Sequence, residues 1–449
     1  MSMINIAFSG IQAAQIGMNV TSMNVANWMV SGYSRQGAVQ SAIGPMGEAG
    51  MSAGNGVQVD SIRRISSQYL VNQVWQTGNK ASYYETGNQY ITSLEKVVGS
   101  DTTSLGNGLD EFINALSELT QTPESPALRQ QLLNQAGALA TRFNSVNNFI
   151  TSQKESITTQ RGAMVDQINT ISGSIADYNK KIADMDSTGG NSSVLRDQRD
   201  ELVKTLSTLA DVKVTEDKSG SYTVSLASGQ PLVSGKTAGQ LRVGQDANGN
   251  STLALKFSTS EFSLDPAVGG QLGALHDYET GTLQGMAETV ADLFNAQLQK
   301  GFDLNGNPGK ALFTFDPSNP AGMLQVNDLN PEELALSGAK DEPGNSDNLA
   351  ELIELKNKKT TIPGMGNMSL SEGAAAIIST IGIASRQSTT EMDAAAAVRE
   401  QAQNQRDNLS AVNQDEEAIN LQVYMQAYQA NMKVISTGNQ IFSDLMSMF

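Results

Sequence analysis

The last stretch of the chain, Gln414 to Phe449, reads QDEEAINLQVYMQAYQANMKVISTGNQIFSDLMSMF. Its apolar side chains recur at alternating spacings of three and four, which predicts a helix that buries one narrow stripe against another helix. The stripe contains one polar residue, Asn439, of the kind that fixes the register of a coiled coil. The stripe consists of Ala418, Leu421, Met425, Tyr428, Met432, Ile435, Asn439, Phe442, Met446 and Phe449.

The beginning of the chain, Met3 to Asn27, carries a matching stripe. The two ends could pair with each other, contact copies of themselves in an assembly, or pack as ordinary amphipathic helices on their own domain. Because an apolar stripe lies at each end of a chain with few large aromatic side chains, we expect assembly. The residues expected at the assembly interface are Ile4, Ile11, Met18, Val25, Leu421, Met425, Tyr428, Met432, Ile435, Asn439 and Phe442.

Composition narrows the functional classes. The chain has 449 residues, a hydrophobic content of 39% and a formal net charge of −17, which argues against binding to nucleic acid or to an anionic membrane surface. We expect no membrane insertion, because no run of about eighteen apolar residues occurs. We also expect no ordinary secretory signal, since no basic segment precedes an apolar one. The chain has no cysteine, so it forms no disulfide.

The spacing of apolar residues changes along the chain, and these changes predict its secondary structure and domains. Helical spacing dominates up to Leu209, alternation from Val212 to about Asp265 predicts short strands with Gly-containing turns, and helical spacing returns afterwards. The predicted fold is α+β and mainly α, with discontinuous, nested domains. The predicted domains are a terminal coiled-coil assembly domain (1–65 and 395–449), a helical middle domain (66–210 and 266–394) and an inserted β domain (211–265).

No catalytic, cofactor-binding or metal site is expected. His276 is the single histidine, so an acid–base triad has only one possible base. Two loops resemble the start of a calcium site, but neither has the glutamate that such a loop needs at its twelfth position, and we interpret both as turns. The residues at the first, third and fifth positions of these loops are Asp246, Asn248 and Asn250, and Asp303, Asn305 and Asn307. We therefore do not expect an enzyme.

Several segments together are similar to the axial proteins of the bacterial flagellum, and within them to the first hook–filament junction proteins. At the N-terminal end these segments are Ser9–Gln15, Thr21–Asn27 and Gly32–Gln36, and at the C-terminal end they are Val412–Leu421 and Gln426–Ser436. In the middle they are Leu195–Asp200, Gly269–Gly273 and Gly301–Gly306. Two departures occur. Met29 and Val30 stand where the family usually has Asn-Thr, and the chain is shorter than many members.

The resemblance implies a structural role outside the cell. The terminal helices would line the inner tube of the flagellum, and a ring of copies at the distal end of the hook would join it to the filament. Implied partners are other copies of the chain, the hook protein, the second hook–filament junction protein, and a cytoplasmic export chaperone on the C-terminal region. Export would use the flagellar type III channel. The alternatives are another axial component, namely the hook protein or the second junction protein, or a secreted coiled-coil adhesin.

Overall fold

The computed structural model describes residues 3–44, 54–245, 251–264, 269–275 and 281–448. Contacts divide the chain into two compact units. The first unit comprises 1–83, 162–273 and 394–449, and the second comprises 84–161 and 274–393. The strands of 211–265 thus share a unit with both chain ends. The division into three domains made from the sequence stays a prediction.

Ten α-helices and two short 3-10 helices, Pro320–Gly322 and Pro331–Glu333, occur among the described residues, and two of the α-helices are the terminal helices predicted from the apolar stripes. The α-helices are α1 Met3–Ala26, α2 Gln68–Val98, α3 Leu105–Glu118, α4 Pro126–Ser187, α5 Ser193–Leu209, α6 Gly270–Ala274, α7 Gly281–Leu298, α8 Asp347–Glu354, α9 Leu370–Ser410 and α10 Gln414–Met446. With small antiparallel sheets beside them, these helices confirm the predicted α+β, mainly α class. Pro126 stands in the first turn of α4, where its missing N–H costs nothing.

The strands of the described chain form small antiparallel sheets. Each sheet joins neighbours in sequence: β1–β2, β3–β4–β5–β6, β7–β8–β9, β10–β11 and β12–β13. Their bounds are β1 Gln36–Ala42, β2 Val57–Arg64, β3 Val212–Glu216, β4 Tyr222–Leu226, β5 Pro231–Ser234, β6 Thr237–Ala238, β7 Gln240–Gln245, β8 Ser251–Phe257, β9 Ser260–Leu264, β10 Phe313–Phe315, β11 Leu324–Val326, β12 Thr360–Ile362 and β13 Gly366–Met368. The alternation predicted from Val212 onward is therefore confirmed as strands.

The core of the first unit lies between the two sheets formed by β3–β9 and the helices α4 and α5. Alternate residues of β4, beginning with Tyr222, are buried, and they pack with Leu253 and Leu255 of β8. Ile168 and Ile175 of α4 belong to the same cluster. One face of each strand is buried because side chains alternate across a sheet.

The core of the second unit is built around three phenylalanines. Phe112 of α3, Phe294 of α7 and Phe313 of β10 meet edge to face, with ring centroids 5.1–6.4 Å apart. None of the three is more than 1% exposed. Edge-to-face aromatic contacts add to the area that such side chains bury, so this cluster anchors the unit.

Candidate assembly interface

The helices α1 and α10 pack against each other in antiparallel orientation. A Cβ added to Gly10 would lie 2.6 Å from the amide nitrogen of Asn431, and one added to Gly17 would lie 2.6 Å from the ring of Tyr424. Near the other end of the pair, Asn24 donates a hydrogen bond of 3.0 Å to the carboxylate of Glu417. These contacts recur every seven residues on both helices. Residue numbers increase along α1 as those of the contacting residues decrease along α10, so the two helices are antiparallel. The pair is close because glycine stands where the partner inserts a large side chain.

The end of α10 follows the same register. Gly438 lies against Ile4, and a Cβ there would approach its Cγ1 to 3.0 Å. The described contacts of α10 with α1 thus include the column Glu417, Tyr424, Asn431 and Gly438, none of which belongs to the predicted apolar stripe. The role of that stripe in assembly stays a prediction.

The residues predicted at the interface are distributed unevenly. On α1, Ile11 is buried, Ile4 and Met18 are half-buried, and Val25 is exposed. On α10 most of the predicted residues are exposed: Leu421, Met425, Met432, Asn439 and Phe442. Tyr428 and Ile435 are half-buried at the border of the contact with α1. The exposed members have no partner within the described chain that buries them, and their role in assembly stays a proposal.

A hydrogen-bonded network that sequence analysis missed, here called the polar junction, closes the end of the helix pair. Its centre is Asn24, which is 1% exposed. The side-chain NH₂ of Asn24 donates to Glu417 and to the carbonyl of Gln36, and its oxygen accepts from the hydroxyl of Tyr33 and the N–H of Gln36. All four bonds measure 2.9–3.0 Å. A buried amide with every site occupied fixes the geometry of its neighbours.

The polar junction continues to α5 through Asp197. This carboxylate accepts from the backbone N–H of Ser34 and from Arg64 of β2, each at 3.0 Å. Burial raises the pKa of Asp197, while the hydrogen bonds and the Arg64 charge oppose that rise. Burial also raises the pKa of Tyr33 to about 12. The segments Gly32–Gln36 and Leu195–Asp200, singled out separately in the sequence, thus meet at one place in the first unit.

Two arginines tie the segment after α1 to the C-terminal helices. Arg35 pairs with Glu416 in the first turn of α10 at 2.8 Å, and its backbone N–H donates to the carbonyl of Ser410. Arg406 of α9 donates to the carbonyl of Gly32 at 2.7 Å. These bonds join residues nearly four hundred positions apart, so no local sequence signal reveals them.

The helix pair has few charged residues and many exposed apolar side chains. No charged residue precedes Arg35, and after Glu417 the helix α10 carries only Lys433 and Asp444. Phe442 is 65% exposed. Other exposed apolar side chains of the two helices are Met3, Phe8, Met23, Val25, Ile419, Leu421, Val423, Met425, Met432, Val434, Ile441, Leu445 and Met446. Exposed apolar side chains in this number are typical of an interaction site.

The loops that resemble calcium sites behave as turns where they are described. Asp303 accepts from the backbone N–H groups of Asn305 and Asn307, both at 2.8 Å, and Gly306 has a φ of +74°. Asp246, Asn248, Asn250 and His276 lie outside the described residues. Within the described ranges no three His, Asp or Glu side chains form a group that could hold a metal ion. In the same ranges, no helix has the length and apolarity that crossing a bilayer requires.

Comparisons with known proteins place this chain among the flagellar axial proteins. Residues 91–313 match the family model of the flagellar hook-associated protein FlgK helical domain. Residues 403–448 match the model of the flagellar basal body rod FlgEFG protein C-terminal region.

Relatives narrow the class to one family. The chain is 27% identical to flagellar hook-associated protein 1 of Salmonella typhimurium and of Escherichia coli K12, with 99% of each chain covered. It is 26% identical to the Bacillus subtilis protein of that name, over 97% of this chain and 96% of the relative. The flagellar hook junction protein FlgK from Burkholderia pseudomallei has the same fold, with a TM-score of 0.66, 17% identity, and coverage of 74% of this chain and 99% of that one. The chain belongs to the family of flagellar hook-associated protein 1.

Proposed function

We propose that this chain is a structural protein of the bacterial flagellum that joins the hook to the filament by polymerising through its terminal helices. The observation that carries the proposal is the number of exposed apolar side chains on α1 and α10, which have few charged residues. Full burial of one leucine, methionine or phenylalanine side chain stabilises a contact by about 1.5–3 kcal/mol. The surface offers nine such side chains together with five exposed valines and isoleucines, which is enough to hold copies together against the entropy of association.

The proposed arrangement is a ring of copies at the distal end of the hook, outside the cell. One end of the ring contacts the hook protein and the other contacts the second hook–filament junction protein. The function is mechanical and not enzymatic. Small residues keep α1 and α10 close within each copy, so the large apolar side chains of α10 remain free to contact neighbouring subunits.

The proposal includes the export of the chain from the cell. Before assembly, an export chaperone in the cytoplasm covers the apolar side chains of the C-terminal region, and the chain leaves through the flagellar type III channel. Two observations support this route. α10 would otherwise expose Phe442 and Met446 to water, and the absence of cysteine leaves no disulfide to open before passage.

Met432→Asp tests the interface without disturbing the contact between α1 and α10. Met432 is 46% exposed and lies off the column that faces α1, so the isolated chain should keep its stability. In an assembly the new carboxylate would be buried without a partner, which costs several kcal/mol. We expect flagella that end at the hook when cells make this variant in place of the unmodified chain, as seen by electron microscopy.

Met185→Asp is the matched control. Met185 is 37% exposed near the end of α4 and belongs to neither terminal helix, so the same change there should leave filaments normal. Normal filaments in the Met432→Asp strain would refute the proposed interface. Ile435→Asp is less discriminating, because Ile435 is half-buried and a charge there disturbs both the helix pair and the assembly.

A further inference from the structure

Asparagine followed directly by glycine occurs at four places in the chain, namely at Asn55, Asn107, Asn248 and Asn305. Asparagine is chemically labile, because the backbone nitrogen of the next residue can attack its side-chain amide. Glycine obstructs this attack least, since it has no Cβ. Asn248 lies outside the described residues, and the other three asparagines have different surroundings in the folded chain.

The pair Asn305–Gly306 lies in a surface turn of the second unit. Asn305 is exposed, and no other described residue makes a hydrogen bond to its side-chain amide. The N–H of Gly306 donates to the carbonyl of Asp303 at 3.2 Å. Opening this one bond at the surface frees the nitrogen of Gly306 while the carboxylate of Asp303 still accepts from Asn307 at 2.8 Å. Attack at this turn therefore requires only a local opening.

Asn107 is exposed as well, but it stands in the first turn of α3. The N–H of Gly108 donates to the carbonyl of Ser104 at 3.1 Å, and the N–H of Asn107 donates to the hydroxyl of Ser104 at 3.2 Å. Rotation of the backbone between Asn107 and Gly108 would break this end of the helix. Leu109 and Phe112, which are 2% and 1% exposed, hold the helix in the core and oppose that rotation.

Asn55 is protected by its burial. It is 8% exposed, and its side-chain NH₂ donates to the carbonyl of Gly44 at 2.9 Å. Its backbone N–H donates to the carbonyl of Ile43 at 2.8 Å. The side chain cannot turn toward the nitrogen of Gly56 without losing its bond to Gly44.

We propose that Asn305 is a site of spontaneous deamidation in the folded chain. The backbone nitrogen of Gly306 bonds to Cγ of Asn305, the bond from Cγ to the amide nitrogen breaks, and ammonia leaves with the proton of the Gly306 N–H. Water then opens the resulting ring at either of its two carbonyls. The product is aspartate, or isoaspartate with one more methylene in the backbone. This proposal does not depend on the proposed function.

The new negative charge falls beside other carboxylates. Asp303 accepts from the N–H of residue 305 at 2.8 Å, and a Cβ built on Gly306 would lie 2.5 Å from a carboxylate oxygen of Asp341. Like charges at such short range repel each other. The longer backbone of isoaspartate also displaces the N–H groups that Asp303 accepts from. Deamidation therefore loosens the turn, and hydrogen exchange at Asn307 should become faster in the converted chain.

Peptide mapping by mass spectrometry tests the proposal on the full chain. The folded protein and the protein unfolded in urea are incubated in mildly alkaline buffer made with oxygen-labelled water, so that each new carboxylate carries the label. We expect folding to slow labelling at Asn305 by less than about tenfold. We expect it to slow labelling at Asn55 and Asn107 by on the order of a hundredfold or more, because both require a larger opening of the structure.

Asn305→Gln is the matched control, since a glutamine would have to close a larger ring. Its circular dichroism should equal that of the unmodified chain, and the peptide around position 305 should stay unlabelled. Label that persists in this peptide would come from another residue and would overturn the assignment to Asn305. Label at Asn305 in urea but not in the folded chain would also overturn the proposal, as would equal labelling of Asn107 and Asn305 in the folded chain.

Discussion

Phe294 in the second unit is 0% exposed and touches the rings of Phe112 and Phe313, whereas Phe442 on α10 is 65% exposed. Both residues belong to regular apolar patterns of helical spacing. In the second unit the pattern is buried within the chain, and in the terminal helix it remains on the surface. The comparison shows that apolar periodicity predicts that a side chain will be covered, but does not say whether its own chain covers it.

The largest effect should come from truncating the two phenylalanines in parallel. Phe294→Ala removes a fully buried ring and should lower the free energy of unfolding by about 3–5 kcal/mol. Phe442→Ala should change the stability of the isolated chain by no more than about 0.5 kcal/mol, because the ring is exposed. Urea denaturation of the purified variants measures both. Equal losses would mean that Phe442 is buried in the free chain, and the contrast between the two regions would fail.

A smaller effect should distinguish glycines that allow close packing from glycines that do not. Gly17→Ala places a methyl group 2.6 Å from the Tyr424 ring and should destabilise the helix pair by about 1–3 kcal/mol. Gly173→Ala in α4 meets no atom within 4 Å and should stabilise its helix by up to about 1 kcal/mol. Hydrogen exchange of the amides of α1 and α4 measures each effect locally. Unchanged protection of α1 in the Gly17→Ala variant would argue against the close approach of α1 and α10.

The smallest effect concerns pH at the polar junction. Burial raises the pKa of Tyr33 from 10 to about 12, so folding favours the neutral phenol. The stability that this group contributes is complete below pH 10 and is lost as the pH rises from 10 toward 12. Tyr33→Phe should therefore show a shallower loss of stability over that range than the unmodified chain. Denaturation curves at a series of alkaline pH values provide the test, and identical slopes would show that Tyr33 does not titrate in the junction.

Local patterns were sufficient to predict much of the fold. The spacing of three and four indicated the terminal helices, and the alternation from Val212 to about Asp265 indicated short strands. Both signals arise from residues close in sequence. The register of α1 on α10 was not predicted. It depends on Gly10 and Gly17, and a pattern of large apolar residues does not include glycines.

The polar junction could not be predicted from the sequence for a different reason. Asn24 and Glu417 are separated by 393 positions, and neither is unusual in its own helix. A hydrogen bond between them depends on the final register of two helices and on the path of the chain from Tyr33 to Gln36. The motif Gly32–Gln36 was recognisable, but its contact with Asp197 was not. The sevenfold recurrence of Gly10, Gly17 and Asn24 was the one available signal.

The pairing of α1 with α10 also determines when the terminal region can form. α1 is synthesised well before its partner, which begins only at Gln414. At about 5–20 residues per second, α1 waits on the order of half a minute before that partner exists. Contacts between such distant segments also carry the largest loop-closure entropy. The second unit ends at residue 393, whereas the first unit includes both terminal helices, so the first unit is completed only once α10 is present.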